Sequence, residues 1–309
     1  MPSALDPAAQ SRLAHLHLRA RSVVEGVLSG LHRSPHHGQS IEFSEHKEYS
    51  PGDEIRHIDW KAYGKFDKYY IKRFEHETNL RAYLVVDASA SMGYASGDQS
   101  KLSCAATAAA ALAMLLVRQQ DAVGLCLAQG DKVRFLPPHA SPTHVNAIVD
   151  LLSEVEPVGG TNLGAIAHVL AERARRRALI LVFSDLFDGG ADGQRPASEG
   201  LQQILQLRAL QNEVALFHVL DPAELSFPFE DPTLFLSMED DRRLEANPEQ
   251  LRDGYLEEMG RFLARSRELC QERDCDYELL RTDEPVDRGL LRFLSRRDRR
   301  QGGAQGFRD

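Results

Sequence analysis

Two hydrophobic periodicities alternate along most of this chain. Between residues 79 and 295, short apolar runs typical of buried strands are followed by segments with helical spacing. The run Tyr83-Leu84-Val85-Val86 predicts a strand, and the segment after Ser100 predicts a helix that is apolar on nearly every side. Strands that alternate with helices predict a mostly parallel sheet covered on both faces, which is a doubly wound α/β fold.

The same pattern predicts the other elements of this region. The predicted strands are 81–86, 122–128, 132–136, 178–183, 214–220 and 277–280. The predicted helices are 100–119, 141–153, 163–177, 201–211, 247–273 and 286–295, with an inserted hairpin within 221–241.

The two ends of the chain differ from this central region. Residues 11–31 have helical spacing, and residues 39–77 show short strands and turns whose order the pattern does not give. The segment 296–309 contains three glycines and predicts a disordered tail. We therefore expect an N-terminal helix-plus-strand extension over 1–78, an α/β domain over 79–295, and a tail over 296–309.

Composition and charge narrow the function classes. Apolar residues make up 42% of the chain, and the net charge of −9 argues against a general nucleic-acid binder, which needs a basic surface. The four cysteines lack zinc-ligand spacing and are typical of reduced core thiols in a cytoplasmic protein. No secretory signal is visible, and the longest apolar run, Ala105–Val117, is too short to cross a bilayer. We expect a cytoplasmic protein without a membrane span.

Oxygen-bearing side chains follow two predicted strands and precede one predicted helix. Asp87, Ser89 and Ser91 follow the first strand, Asp185 follows a later one, and Thr161 lies at a helix start. Ligands of open α/β sheets bind beyond the carboxyl ends of the strands, and Mg²⁺ or Mn²⁺ prefers oxygen ligands. Each residue taken alone is better explained as a turn or cap residue. Together they predict a divalent-cation site that leaves coordination positions open.

These residues resemble a known site. Asp87, Ser89, Ser91, Thr161 and Asp185 match, in order and context, the metal-ion-dependent adhesion site of von Willebrand factor A-type domains. The resemblance implies that the three hydroxyls bind Mg²⁺ (or Mn²⁺), that the two aspartates bind it directly or through water, and that an acidic residue of a partner completes the shell.

A second stretch points to a family within that fold. Residues 49–60, Tyr-Ser-Pro-Gly-Asp-Glu-Ile-Arg-His-Ile-Asp-Trp, resemble the signature of the domain of unknown function 58 family, which contains von Willebrand A-like proteins often encoded beside MoxR-type AAA+ ATPases. The spacing of Asp53, Arg56 and Asp59 suits salt bridges, and Trp60 suits an anchor. The block is either a structural brace or a partner-binding surface.

The resemblance implies a non-catalytic, metal-dependent protein-binding module whose partner is a MoxR-type AAA+ ATPase or its client. One rival is a metal-dependent hydrolase or phosphatase that uses Asp87 as nucleophile. By family resemblance, such phosphatases have a second acidic residue two positions on, where this chain has Ser89. No Gly-x-x-x-x-Gly-Lys-Ser/Thr nucleotide loop is present. The other rival is a structural scaffold with a vestigial ion site.

Overall fold

The computed structural model describes residues 7–32, 46–48, 70–72, 80–130, 132–188 and 199–305. The chain divides into two compact units: Met1–Leu31 with Leu80–Asp309, and His32–Asn79. In the smaller unit, β1 (His46–Glu48) pairs antiparallel with β2 (Tyr70–Lys72). The larger unit carries the α/β architecture.

A six-stranded sheet forms the centre of the larger unit. Its strands lie in the order β10-β7-β6-β3-β4-β5, and only β5 runs antiparallel to its neighbour. The mostly parallel sheet confirms the predicted α/β class. The six strands are β3 (Arg81–Asp87), β4 (Ala122–Gln129), β5 (Lys132–His139), β6 (Leu179–Ser184), β7 (Glu213–Leu220) and β10 (Asp276–Arg281). A separate hairpin pairs β8 (Thr233–Leu236) with β9 (Arg243–Ala246).

Helices cover both faces of the sheet. One hydrophobic core joins the sheet to α1, α2, α3 and α8, and a second core joins its other face to α4, α5 and α7. The helices are α1 (Pro7–His32), α2 (Lys101–Arg118), α3 (Pro142–Glu154), α4 (Leu163–Arg173), α5 (Glu199–Gln206), α6 (Pro222–Ser226), α7 (Pro248–Glu272) and α8 (Val286–Gln305).

The connections reverse direction beside β3. The chain passes from β3 to β4 on one side and later returns to place β6 on the other side of β3. The loops that leave β3 and β6 therefore border the crevice where open α/β sheets bind their ligands.

Helix α2 is the buried helix that the sequence predicts. The Ser100 side chain caps it by accepting a hydrogen bond from the Ser103 N–H, and nearly all its residues are buried. Among the described helices it is the one long and apolar enough to cross a membrane, but 83% of it is buried inside the protein. Its apolar surface is therefore explained by packing in the core.

Several boundaries differ from the sequence prediction. Helix α5 ends at Gln206 rather than Gln211, β5 continues to His139, and β9 of the hairpin lies beyond the predicted segment 221–241. Helix α4 ends at Arg173 rather than Arg177, because Ala174 is already extended. Helix α8 continues past the predicted end at residue 295 to Gln305, which replaces the first part of the predicted disordered tail. Arg292 and Arg296 hold this helix to the sheet through ion pairs with Glu278. Helix α1, grouped by sequence with the extension, belongs to the same compact unit as the sheet.

Candidate functional site

The three predicted loops meet at the carboxyl end of the sheet. Val86 and Phe183 are partners in the β3–β6 pairing, so the loops that begin at Asp87 and Ser184 start side by side. The loop before α4 is joined to the loop after β3 by two backbone hydrogen bonds, from Ala90 N to Gly159 O (2.8 Å) and from Val158 N to Ala88 O (3.0 Å). These bonds bring Thr161 to the same end of the sheet.

Gly159 allows this close approach between loops. Its φ of +76° lies in the left-handed region that favours glycine. A Cβ at this position would lie 2.7 Å from the Cα of Gly130, in the turn between β4 and β5. The glycine therefore sets the position of the loop that carries Thr161.

Asp87 is a buried carboxylate held by neutral donors. The residue is only 2% exposed to solvent. Its Oδ1 accepts a hydrogen bond from Ser89 N (2.9 Å), and its Oδ2 accepts one from Ser184 Oγ (2.7 Å). Within the described part of the chain, no Lys, Arg or His side chain forms an ion pair with Asp87.

The protonation of Asp87 reflects this lack of a cation. Burial raises its pKa to about 7, and the negative charge of Asp185 adds to the effect, while the bonds from Ser184 and Ser89 oppose it. At neutral pH Asp87 is therefore only partly ionised, and its ionised form is a negative charge without a cationic partner among the described residues. A bound cation would balance it.

Three predicted hydroxyl ligands lie in the loops at this end of the sheet. Ser89 Oγ and Ser91 Oγ lie 3.1 Å apart, at the start of the 3₁₀ turn over Ala90–Gly93. Thr161 is 5% exposed and directs its hydroxyl toward the hairpin, where it donates to Glu239 Oε1 at 3.3 Å. All three are oxygen donors of the kind that Mg²⁺ and Mn²⁺ accept.

Asp185 is fully buried and, unlike Asp87, is paired with a cation. Lys101 Nζ donates to its Oδ2 at 2.7 Å, and Phe187 N donates to its Oδ1 at 3.1 Å. The Asp185 backbone carbonyl lies 2.9 Å from His218 Nε2. A carbonyl oxygen only accepts, so Nε2 carries the proton and Nδ1 accepts from the Tyr277 hydroxyl (2.9 Å). Burial lowers the pKa of His218 to about 4, so this imidazole is neutral.

Lys101 is a fully buried ammonium at the first turn of α2. It also donates to Glu224, and its Nζ lies 4.9 Å from the centre of the Phe187 ring. Burial acts to lower the pKa of Lys101, but the two carboxylates outweigh it and raise the pKa above its usual value. Lys101 is therefore charged at neutral pH and offsets part of the negative charge of the site.

A further carboxylate reaches the site from the β8–β9 hairpin. Glu239 accepts a hydrogen bond from the Thr161 hydroxyl, and it lies near enough to the Ser91 hydroxyl for that group to act to lower its pKa. Burial raises its pKa, and within the described residues no basic side chain forms an ion pair with it. Glu239 thus contacts one of the five predicted ligands and lies near a second.

The donor set fits a hard divalent cation. The candidate ligands all present oxygen atoms, and they are Asp87, Ser89, Ser91, Thr161, Asp185 and Glu239. Each carboxylate oxygen can accept a second partner beyond its present hydrogen bond. The described residues contain no cluster of three His, Cys, Asp or Glu side chains able to hold an ion. Hydroxyls would therefore have to supply part of any coordination shell here.

Sequence reasoning misses four residues of this arrangement. Lys101 carries the clearest signal, since it is a lone cation at the start of an otherwise apolar helix. Glu224 and Glu239 lie in a segment that the sequence identifies only as an inserted hairpin, and His218 lies inside a strand. The predicted brace or partner surface at Asp53, Arg56, Asp59 and Trp60 lies outside the described residues, so its role stays a prediction.

Solved structures of similar shape include von Willebrand A-type domains. The conserved hypothetical protein BatB from Bacteroides thetaiotaomicron is 14% identical, with 70% of this chain and 98% of that chain covered and a TM-score of 0.44. The SpRpn10 VWA domain is 9% identical, with 68% of this chain and 93% of that chain covered and a TM-score of 0.37.

Sequence relatives cover almost the whole chain. The uncharacterized protein Mb1516 of Mycobacterium bovis is 27% identical over 308 residues, which is 97% of this chain and 93% of that protein. The family described as "Protein of unknown function DUF58" matches residues 45–262, well over half of the chain and including all five predicted metal ligands. The chain belongs to the DUF58 family.

Proposed function

We propose that this protein is a non-catalytic, divalent-cation-dependent binding module of the von Willebrand A type. Asp87, Ser89, Ser91, Thr161 and Asp185 would hold Mg²⁺ or Mn²⁺, with the aspartates acting directly or through water. The cation would then bind an acidic side chain of a protein partner.

One observation carries this proposal: a buried carboxylate without a cationic partner among the described residues lies at the end of β3, where oxygen-bearing side chains of the loops after β3, before α4 and after β6 are linked through contacts with Ser89, Ser184 and Glu239. Burying an unpaired charge costs several kcal/mol, so Asp87 either takes up a proton, in keeping with its raised pKa, or is balanced by a cation. A divalent cation would balance Asp87, and the hydroxyl ligands would contribute no further negative charge. A partner carboxylate can then bind without crowding the site with like charges.

The surroundings of Asp87 support binding rather than catalysis. Both of its oxygens accept hydrogen bonds from the protein, which favours a fixed ligand over a free nucleophile. The residue two positions on, where a phosphatase of the rival class would place an acid, is Ser89, and its hydroxyl lies against Ser91. We therefore place this chain among binding proteins.

The proposed partner is a MoxR-type AAA+ ATPase or one of its clients, met in the cytoplasm. Membership of the DUF58 family supports this choice, because the resemblance to that family implies an association with such ATPases. The chemistry of the site adds one requirement: the partner must present an exposed Asp or Glu to the cation.

Titration calorimetry with Mn²⁺ tests the metal site directly. Wild type should bind one ion, and Asp87→Asn, which keeps the size of the side chain but removes its charge, should lower the affinity by about 100-fold or more. Asp98→Asn is the matched control, because Asp98 is an exposed acid downstream in the same loop. Absence of Mn²⁺ binding by folded wild-type protein would leave only the scaffold with a vestigial site.

The partner is tested with a purified MoxR-type AAA+ ATPase. Binding to immobilised wild-type protein in Mg²⁺ should disappear in EDTA and in Asp87→Asn, and should persist in Asp98→Asn. Binding that is equally strong in EDTA would contradict a bridging cation.

A further inference from the structure

The hairpin of β8 and β9 ends in a turn that enters the candidate site. Thr161 Oγ1 donates to Glu239 Oε1 at 3.3 Å, and the Ser91 hydroxyl lies near enough to this carboxylate to act to lower its pKa. The other oxygen, Oε2, lies 3.5 Å from the position that a Cβ on residue 160 would take, so the carboxylate lies beside the backbone of the loop before α4. Glu239 therefore lies close to the loops after β3 and before α4 at once.

The hydrogen bonds within the turn leave Glu239 as the acid that faces the site. Ser237 N donates to Arg242 O at 2.9 Å, and Glu239 N donates to Ser237 Oγ at 3.4 Å. The adjacent Asp240 is turned back on Arg242, with distances of 3.0 Å and 2.6 Å to its backbone and side-chain nitrogens. Two acidic neighbours in sequence thus have different tasks: Asp240 closes the turn, and Glu239 points into the site.

The base of the hairpin is anchored. Phe235 stacks on Phe227 with ring centres 5.7 Å apart and meets Phe229 edge to face at 5.4 Å. Phe227 also packs against Tyr255 of α7, with 4.5 Å between ring centres. The tip is held mainly by polar contacts, while Leu234 and Leu236 on the outer face of β8 are 53% and 60% exposed. The hairpin therefore has a fixed base and a tip that polar contacts hold in place.

We infer that Glu239 is an internal acidic ligand of the proposed cation, and that the hairpin competes with the partner for this coordination position. The inference rests on the proposed function, since it requires a cation at the three loops. In the resting protein the Glu239 carboxylate completes the shell in place of the partner's acid. A partner binds by displacing Glu239, so the strength of the Glu239 contact sets how tightly the acid of the partner must bind the cation.

The test uses Mn²⁺ as both ligand and probe. Water-proton relaxation enhancement reports how many exchangeable water molecules remain on the bound ion, and acetate serves as a minimal carboxylate. Compared with wild type, Glu239→Gln should bind Mn²⁺ about tenfold more weakly and show about one more exchangeable water, because one carboxylate ligand is lost. Acetate should lower the relaxation signal in Glu239→Gln and have little effect on wild type.

Glu245→Gln is the matched control. Glu245 is an exposed acid on β9 of the same hairpin, so this variant removes an equal charge and should behave as wild type. Equal water counts and equal acetate responses in wild type and Glu239→Gln, with Mn²⁺ bound to both, would overturn the role of Glu239 and leave the metal site intact. Folded protein that binds no Mn²⁺ in either form would instead overturn the proposed function.

Trypsin supplies a second readout that does not depend on counting water. Arg242 and Arg243 are exposed at the end of the turn, next to the Glu239 contact. Mn²⁺ should slow cleavage after these arginines in wild type and in Glu245→Gln, but not in Glu239→Gln. Equal protection of all three variants would contradict an ion-held hairpin.

Discussion

The ends of β3 and β6 carry two buried aspartates, and they differ in whether a basic side chain forms an ion pair with the carboxylate. Asp185, after β6, pairs with the Lys101 ammonium at 2.7 Å, whereas Asp87, at the end of β3, is held only by a serine hydroxyl and a backbone N–H. The two side chains are close enough that the charge of Asp185 helps to raise the pKa of Asp87. The protein thus supplies one cation of its own and leaves the second charge without one.

The difference indicates a division of roles within the site. A permanent ammonium keeps the loop after β6 in place whether or not an ion is bound, because the Lys101–Asp185 pair is fully buried. The loop after β3 instead depends on a charge from outside. The four predictions below probe this comparison, from the largest expected effect to the smallest.

Removing the internal cation should have the largest effect. Lys101→Met would leave Asp185 and Glu224 as unpaired acids, and breaking a buried ion pair from one side costs about 3–5 kcal/mol. Urea denaturation in EDTA should show this loss of unfolding free energy. Lys132→Met, at an exposed lysine of β5, is the control and should change little. A Lys101→Met protein as stable as wild type would remove the contrast between the two aspartates.

Titration of His218, which bonds to the loop after β6, should make the free energy of unfolding depend on pH. Burial holds the pKa of His218 at about 4 in the folded protein, below its usual 6.5, so the unfolded chain binds more protons between these values. The contribution of His218 to stability is full above pH 6.5 and is lost as the pH falls toward 4, by about 3 kcal/mol.

The appropriate measurement is the difference in unfolding free energy between wild type and His218→Gln, taken in EDTA from pH 7 to pH 4. Other titrating groups cancel in this difference, and glutamine can still donate to the Asp185 carbonyl. A difference that stays constant across this range would show that His218 does not titrate as a buried neutral group.

An external cation should stabilise the β3 side of the comparison. If Mg²⁺ balances Asp87, a concentration near 100 times its dissociation constant should add about 2.7 kcal/mol to the unfolding free energy of wild type. Asp87→Asn, with its affinity lowered about 100-fold or more, should gain about 0.4 kcal/mol or less, and Asp98→Asn should gain as much as wild type. Thermal denaturation with Mg²⁺ or with EDTA measures all three proteins. An equal gain in Asp87→Asn would mean that the ion binds elsewhere.

The smallest effect is expected at the loop that carries Thr161. Gly159→Ala forces a side chain into a left-handed position where its Cβ would meet Gly130 at 2.7 Å, which should cost more than about 1 kcal/mol. Because Gly159 bonds to the loop after β3, Mn²⁺ affinity should also fall. Gly97→Ala is the control, since nothing lies within 4 Å of a Cβ there. Unchanged Mn²⁺ affinity in Gly159→Ala would mean that the loop with Thr161 does not contribute to Mn²⁺ binding.

The sequence predicts the positions of Asp87, Thr161 and Asp185 because apolar strands have recognisable ends. Tyr83-Leu84-Val85-Val86 is buried as the pattern requires, so the polar residues that follow had to lie at the edge of the sheet. The order of the strands then places these loops together, and the α/β pattern already limits that order.

The remaining part of the arrangement depends on tertiary contacts without a local signal. Nothing in the run Glu239-Asp240-Asp241 distinguishes the acid that enters the site from the one that closes the turn. Helix α8 shows the same limit, because its glycines predict an early end, while ion pairs between its arginines and Glu278 of β10 help to hold it against the sheet.

The buried Lys101–Asp185 pair also restricts how this chain can evolve. A substitution of either residue alone strands a charge in the interior, so the two positions should change together among descendants of a common ancestor. In any homologue that has an apolar side chain at the start of this helix, the acid after the sixth strand should be missing too. Such a homologue would have lost a predicted metal ligand because of a replacement in a helix that is distant in sequence.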